Sequence, residues 1–350
     1  MKIVVLGGGI STERQVSLVT ATSVCKALRS CGHKAIFVDM YLGLENYTGA
    51  LEDAFDAPDG FCGEAEIGHA APNLDEVIAG RKLQGPSRIG EKVLEICRLA
   101  DCVFLGLHGA DGEDGKIQAA LDLLGVPYTG SGPLGSAMAM DKGAAKKIMA
   151  FAGIPTPPWQ EYALEDASPA AIEEKQELPC VVKVSNGGSS IGVYICETKE
   201  QLHVALQDAE RFGSHIIIEK KICGREFTLP VLDGKPLSAI EIVPPEGSAF
   251  DYVAKYQSGA EGAREICPAE IPAEEQKQLG ELAVKLHHAL GLSVYSRADF
   301  IVDEAGNPWC LEVNTLPGMT PNSLIPRAAR IAGLSYAQLC EKIVALSLKK

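Results

Sequence analysis

The sequence predicts an α/β protein of more than one subdomain, with a parallel sheet first and mainly antiparallel strands later. Three observations carry this. A buried-strand pattern, KIVVL at 2–6, leads into a helical pattern at 13–31 and a second strand, HKAIFVDM, at 33–40. Strands alternating with helices imply parallel pairing. Beyond residue 179 short strands follow one another closely, and 350 residues exceed one ordinary core, so two or three subdomains are expected.

Each element has its own signal. Val16, Val19, Val24 and Leu28 fall near helical spacing. DCVFLGL at 101–107 reads as a third strand of the first sheet. Residues 41–90 are rich in Gly, Pro and Asp with weak periodicity, an irregular excursion to which no role is assigned. A short helix at 116–124 precedes a turn region, GVPYTGSGP, and a helix from Asp141 to Ala152 is closed by the prolines of AGIPTPPWQ. Residues 179–184, 191–196, 215–220, 226–232 and 237–243 read as strands of one mostly antiparallel sheet. Residues 273–290 form a clear amphipathic helix, ADFIVDEAGNPWCLEVN two strands around a turn, and one final helix closes the chain. Met138 and Met140 are core candidates, and His287-His288, lacking metal-ligand spacing, are structural.

Composition narrows the function classes. Hydrophobic residues at 46% and charged residues at 22% suit a globular protein. A net charge of −14 argues against nucleic acid or an anionic membrane as the main partner. The apolar run in MKIVVLGGGI is too short for a signal peptide, and no run reaches a membrane span, so the chain reads as cytoplasmic. Eleven scattered cysteines without a CxxC pair read as buried free thiols of a reducing compartment; zinc-ligand spacing is missing.

Two glycine clusters follow strands. Gly7-Gly8-Gly9 precedes a helix, and Asp39 ends the second strand as a ribose-binding acid does. The third glycine of a dinucleotide fingerprint would fall at Thr12, which weakens that reading. Glu13 in the first helical turn is, on position alone, a charge favoured by the helix dipole. His108, in GLHGADGEDG, follows a strand and so faces the ligand crevice of an open sheet, although a hydrogen-bonded loop histidine is the plainer reading. In the second cluster, Lys183 precedes Ser185-Asn186-Gly187-Gly188-Ser189-Ser190. Small residues let backbone N–H groups approach phosphate oxygens, and the lysine tilts the segment from a plain hairpin turn towards phosphate binding. In IIIEKKICGREFT, Glu219 and Glu226 flank a glycine, a pattern able to hold a nucleobase by backbone bonds and a ribose by a carboxylate.

The most specific chemistry lies near the C-terminus. Glu312 and Asn314 are two apart in WCLEVN and project to one face of a strand. A hairpin turning at Ala305-Gly306 pairs residues whose numbers sum to 611, which sets Asp299 opposite Glu312 and Arg297 opposite Asn314. Three hard oxygen ligands on one face suit Mg²⁺ bridged to phosphates. Arg297 beside them suits stabilisation of a developing oxyanion or phosphoryl charge. NTLPGMTPNS loops over the same place.

With these motifs assembled, the sequence resembles the D-alanine–D-alanine ligase family of the ATP-grasp superfamily. The resemblance rests on GGGISTERQVSL, LHGADGEDGKIQ, YTGSGPLGSAMAMDK, VVKVSNGGSSIGV, IIIEKKICGREFT, DYVAKY, SRADF and EVNTLPGMTPNSL, in the family's order, and covers the chain apart from about residues 41–95. It implies a three-domain ATP-grasp fold, with an N-terminal α/β domain at 1–130, a central domain at 131–219 and a C-terminal catalytic domain at 220–350 clasping ATP. It implies that Lys142 and Lys183 contact phosphates, that Ser189 and Lys255 also bind ATP, that Glu219, Lys220 and Ile222 face adenine, and that Glu226 faces ribose. Asp299, Glu312 and Asn314 match the ligands of two Mg²⁺ ions, which Mn²⁺ can replace. Glu13 matches the carboxylate holding the first substrate's ammonium, with His108 nearby. Ser189 and Tyr256 match residues that bond to Glu13 and help close a lid, here about 247–264. Ser323 and Leu324 match the pocket for the second substrate's carboxylate, and Arg297 and the Gly318 N–H match the oxyanion stabilisers. The implied activity joins two D-alanines through an acyl phosphate for peptidoglycan synthesis, in a homodimer.

Some positions depart from the commonest pattern. Ser296 replaces a glycine that often precedes the arginine, and Leu316 stands in NTLPG where a serine is frequent. Leucine there also resembles ligases that make D-Ala–D-lactate or D-Ala–D-serine, whereas Lys255-Tyr256 looks more like the dipeptide enzymes. Other classes weighed are a catalytically silent ATP-binding regulator, against which Arg297 and the ligand set are intact, and a nicotinamide oxidoreductase, against which the glycine pattern is broken.

Overall fold

Lys2–Gly7 (β1) is the central strand of a three-stranded parallel sheet. It pairs with Lys34–Asp39 (β2), from Lys2↔Lys34 to Gly7↔Asp39, and with Cys102–Leu105 (β3), from Ile3↔Cys102 to Leu6↔Leu105. The computed structural model describes residues 1–350 except 64, 67, 69–71, 167, 189–191 and 245–262. Parallel sheets are covered on both faces, which is why β1 and β3 are unbroken apolar runs. Arg14–Ser30 (α1) covers one face. It lies close because two glycines face it: a Cβ on Gly7 would stand 2.4 Å from the Cβ of Ala21, and one on Gly106 3.1 Å from the same atom.

The excursion at 41–90 is not wholly irregular. It contains a 3-10 turn, Leu51–Asp56, and a helix, Leu74–Gly80 (α2). Their periodicity is weak because only Ala54 and Phe55 of the turn are buried, and α2 buries no residue. Val93–Cys97 (α3) leads back to β3.

Lys116–Leu124 (α4) falls where the sequence places it. The expected turn region beyond it ends early, because Pro133–Met140 (α5) is a helix. Proline at a first helical position starts a helix rather than breaking one. Lys142–Phe151 (α6) follows, capped by Asp141, whose side chain accepts from the Ala144 N–H at 2.9 Å. Met138 packs at the edge of the core beneath.

The strands expected as one antiparallel sheet form two. The first has the order β4-β7-β5-β6, built from Trp159–Ala163 (β4), Cys180–Val184 (β5), Val193–Cys196 (β6) and His215–Lys220 (β7). Pro169–Lys175 (α7) and Lys199–Ala209 (α8) bury their apolar sides against its core. The second runs β11-β10-β8-β12-β13, from Gly224–Leu232 (β8), Ile240–Val243 (β10), Arg264–Ile266 (β11), Tyr295–Asp303 (β12) and Pro308–Asn314 (β13). The expected strand at 237–243 is shortened to β10, and a separate short strand before it, Lys235–Pro236 (β9), pairs with the end of β8. The chain changes sheets at Lys221-Ile222-Cys223. Apolar alternation is the same for a hairpin and for such a switch, so pattern cannot separate them.

Ala273–Ala289 (α9) packs on the second antiparallel sheet, with buried His287 hydrogen-bonded to Ser296 at 2.8 Å. The single final helix is two, Leu324–Ile331 (α10) and Tyr336–Ser347 (α11), separated at Gly333 with φ +84°. α11 returns to α1, so Leu339, Ile343 and Val344 share one core with Ile3–Leu6.

The β12–β13 hairpin reaches its expected pairs by an unexpected path. Asp299 faces Glu312 and Arg297 faces Asn314. Near the turn, however, the pairs are Val302↔Pro308 and Phe300↔Cys310, because the loop is Glu304-Ala305-Gly306, one residue longer than expected, closed by the Asp303 N–H donating to the Asn307 carbonyl and with Gly306 at φ +80°. Leu311 then bulges out of β13 and restores the predicted register. Among the described residues no helix is long and apolar enough to cross a membrane.

The close seating of α1 is testable. Gly7→Val should lower stability by about 1–3 kcal/mol through overpacking, read as a lower urea midpoint; an unchanged midpoint would mean that α1 yields freely.

Candidate active site

The loops after β1 and β3 meet first. Ser11 donates its hydroxyl to the His108 carbonyl at 2.7 Å, and its oxygen accepts the Glu13 N–H at 3.2 Å. Glu13 begins α1 and is only 7% exposed. Its Oε2 would lie 2.8 Å from a Cβ on Gly109 and 2.7 Å from one on Gly188. Only side-chain-free backbone at both places leaves room for this carboxylate.

His108 is buried, and its ring bonds at both nitrogens. Nδ1 lies 2.8 Å from the Leu316 carbonyl, which can only accept, so Nδ1 carries the proton. Burial pulls its pKa down, against the nearby Glu13 charge. The neutral ring therefore accepts a hydrogen bond from the Thr20 hydroxyl at Nε2, at 2.9 Å. Glu113 completes the clasp. Its two oxygens accept the Gly109 N–H at 2.8 Å and the Leu316 N–H at 3.0 Å. Burial, then the adjacent Glu13 charge, push its pKa up to about 8 against those two donors.

The lysines expected to meet phosphates converge on carboxylates. Lys142, the first residue of α6, sits on the second glycine loop: its N–H donates to the Ser185 carbonyl at 3.0 Å and its ammonium to the Gly187 carbonyl at 2.6 Å. Nζ is also 3.8 Å from Glu312. Lys183 on β5 pairs with Glu219 on β7, one step diagonal across the ladder. Lys146, one helical turn after Lys142, reaches the other oxygen of Glu219 at 2.8 Å and donates to Thr156 at 2.7 Å. Burial lowers the Lys183 pKa, but Glu219 and Glu312 outweigh it and the net shift is upward. Burial raises Glu219, but Lys183 and Lys146 outweigh it and the net shift is downward. Lys146 is pulled down by burial despite Glu219.

On the hairpin, Arg297 grips Asp299 with two parallel bonds of 3.0 Å. Thr228, opposite on β8, donates to Asp299 at 2.5 Å, and Asn314 donates at 3.2 Å. Two carboxylates and an amide oxygen are the hard donor set that Mg²⁺ takes when phosphates and water complete its shell. Among the described residues no three His, Cys, Asp or Glu side chains form a fuller cage.

These contacts close a ring. Glu13 abuts Gly188, Gly187 receives Lys142, Lys142 approaches Glu312, and Glu312 faces Asp299, which holds Arg297. The Arg297 charge reaches Glu113 and His108, whose loop returns to Glu13. Glu226 lies on β8, with its charge felt at Lys183. Lys220 and Ile222 lie at the crossing between sheets, exposed and half-buried respectively. Ser323 precedes α10 but does not cap it with its side chain. Its hydroxyl turns back to Thr320, 2.8 Å from Oγ1, and crowds Gly318, where a Cβ would stand 3.0 Å away. Leu324 begins α10, half-buried. Ser189, Lys255 and Tyr256, and nearly all of the expected lid, lie outside the described residues.

Asp39 is not available as a ribose acid. Arg14 pairs with it, and it accepts the N–H groups of Tyr41 at 2.9 Å and Leu42 at 3.0 Å. A Cβ on Gly8 would stand 2.3 Å from its Oδ2, so this carboxylate fills the cradle that a pyrophosphate would need. Sequence reasoning missed Glu113, Lys146 and Thr228. Lys146 carried a usable signal, the i,i+4 spacing from Lys142. Glu113 was one acid among several in a loop, and Thr228 needed the β8–β12 register.

Two outcomes follow. Glu219→Ala strands two buried ammoniums and should cost about 3–5 kcal/mol in chemical unfolding; a loss below about 1 kcal/mol would show that the lysines simply turn to water. Glu113 has a folded pKa above its unfolded value, so the fold loses stability as pH rises from about 5 to about 8. Glu113→Gln should flatten that slope in thermal melts, and an equally steep slope would place the titration elsewhere.

The comparisons with known proteins agree with one another. Family models described as D-ala D-ala ligase N-terminus and D-ala D-ala ligase C-terminus match residues 2–131 and 148–345. A D-alanine–D-alanine ligase of Pediococcus pentosaceus is 42% identical over 345 residues, 98% of this chain and 97% of that protein. One from Citrifermentans bemidjiense is 40% identical over 349 residues, 99% and 97% of the two. The solved D-alanine–D-alanine ligase of Bacillus anthracis complexed with ATP superposes with a TM-score of 0.76 at 31% identity, over 100% of this chain and 98% of that one. With its ring of lysines and carboxylates around two glycine loops, and relatives that match it from end to end, the chain belongs to the D-alanine–D-alanine ligase family and has its ATP-grasp fold.

Proposed function

We propose that this chain uses ATP to join two D-alanines into D-alanyl-D-alanine for peptidoglycan precursors. The observation that carries the reading is the ring itself: phosphate-binding cations, hard oxygen ligands and a buried carboxylate, Glu13, all border one space. Lys142 and Lys183 hold the ATP phosphates, exchanging Glu312 and Glu219 for phosphoryl oxygens. Glu219, Lys220 and Ile222 border adenine, and Glu226 takes the ribose hydroxyls. Asp299, Glu312 and Asn314 would hold Mg²⁺, which would supply neutralisation of phosphate charge.

Glu13 holds the ammonium of the first D-alanine, with His108 behind it. The γ-phosphoryl passes to that substrate's carboxylate, making an acyl phosphate from an unreactive group. Ser323 and the N-terminus of α10 at Leu324 receive the second substrate's carboxylate. Its neutral amine attacks the acyl carbon, Arg297 and the Gly318 N–H stabilise the oxyanion, and phosphate leaves. Ser189 and Tyr256 bond towards Glu13, and Lys255 adds to the phosphate side, as a lid over 247–264 keeps water from the acyl phosphate. Positioning and charge neutralisation supply most of the catalysis.

The proposal extends to a homodimer working in the cytoplasm, and to units divided near residues 130 and 220. In support, the three sheets occupy successive stretches of chain, although α11 crosses back to the first.

The test is phosphate release from ATP and Mg²⁺ with D-alanine alone, then with D-serine or D-lactate added, with product mass read alongside and L-alanine as control. Release with D-alanine alone and a D-Ala–D-Ala product is expected. Product only with D-serine or D-lactate would reassign the acceptor, and no D-amino-acid dependence would leave an ATP-binding regulator. Glu312→Gln should lower turnover about 100-fold or more with an unchanged melting temperature; wild-type turnover would overturn the ligand assignment.

A further inference from the structure

Two thiols outside the site lie against each other. Cys25 is on α1 and fully buried, whereas Cys62 follows the turn Asp59-Gly60-Phe61 of the excursion and is partly exposed. Both sulfurs point at one carbonyl: Sγ of Cys25 is 3.8 Å and Sγ of Cys62 3.6 Å from the Gly60 oxygen. The thiols are also within hydrogen-bonding reach of each other.

The turn carrying Cys62 is firmly anchored. The Gly60 carbonyl accepts the Phe37 N–H of β2 at 2.8 Å. The Arg29 guanidinium donates to the Ala57 carbonyl at 3.0 Å and the Pro58 carbonyl at 2.8 Å. Phe61 meets the Tyr47 ring edge-on with centroids 5.7 Å apart. The two sulfurs are thus brought together by contacts that fix the turn against β2 and α1.

Their surroundings differ. The hydrogen bond from Cys25, with the charges of Arg29 and Lys26, brings the Cys62 thiol pKa down against burial. The same bond and burial push Cys25 up. Only Cys62 is open to a dissolved reagent, which makes it the nucleophile and buried Cys25 the resolving thiol.

We propose that Cys62 and Cys25 form a thiol–disulfide exchange site, at which a low-molecular-weight disulfide converts the pair into an intramolecular disulfide that staples residues 57–63 to α1. The Cys62 thiolate attacks one sulfur of the external disulfide RSSR. A Cys62–S–S–R bond forms, and RS⁻ leaves and takes up a proton. Cys25 loses its proton to solvent and attacks Sγ of Cys62, and the second RS⁻ leaves and is protonated. The pair gives up two electrons and two protons, and RSSR becomes two thiols. Cys180 and Cys196 provide an internal comparison: they oppose each other across β5 and β6, but both are fully buried, out of reach of such a reagent.

The test exposes the reduced, intact protein to oxidised glutathione, alkylates it, and maps the peptides without reduction. A cross-link between Cys25 and Cys62, reversed by thiol, is expected, with Cys180 and Cys196 alkylated only after unfolding. The bond spans 37 positions of chain, so the melting temperature should rise by about 5 °C or more. Cys62→Ser should lose both the cross-link and the shift while keeping wild-type turnover. A lasting mixed disulfide at Cys62 with Cys25 still free, a native cross-link to any other cysteine, or an unchanged melting temperature would overturn the proposal.

Discussion

The peptide of Leu316 joins the two sides of the site. Its N–H goes to Glu113 and its carbonyl to His108, so both of its polar groups are claimed by one loop at the end of β3. A buried peptide must satisfy both groups, and here they can be satisfied only if the first sheet and the β12–β13 hairpin keep one relative position. The loop that follows Asn314 and carries Gly318 inherits that position. So does Glu13, because Ser11 ties its turn to the His108 carbonyl.

The second constraint is charge. Lys183 and Lys146 are both buried around Glu219, which is 2% exposed. Such a cluster adds little net stability, since desolvation opposes attraction, but it holds the cations in place. Arg297 and Asp299 do the same on the hairpin. In the proposed reaction these lysines exchange one set of anionic partners for another, from positions they already hold.

Much of the fold was legible because local pattern reports local structure. Apolar runs marked β1 and β3, helical spacing marked α1 and α9, and the acid–arginine pairs of the hairpin were reachable from a single turn. The hairpin also shows the limit: the turn is one residue longer than expected, and the bulge at Leu311 cancels the error. The split of the antiparallel strands into two sheets was not legible, because Lys221-Ile222-Cys223 has the same polarity in a hairpin as in a crossing.

The sequence by itself determined the family and the pairing of Asp299 with Glu312 and Arg297 with Asn314, because each rests on residue type and short spacing within contiguous motifs. Tertiary structure alone decided that Asp39 is sealed by Arg14, that Lys146 shares Glu219 with Lys183, and that Glu113 holds Leu316 across 203 positions of chain. Those choices depend on which distant backbone groups are left without a partner when the sheets come together. No local pattern encodes that.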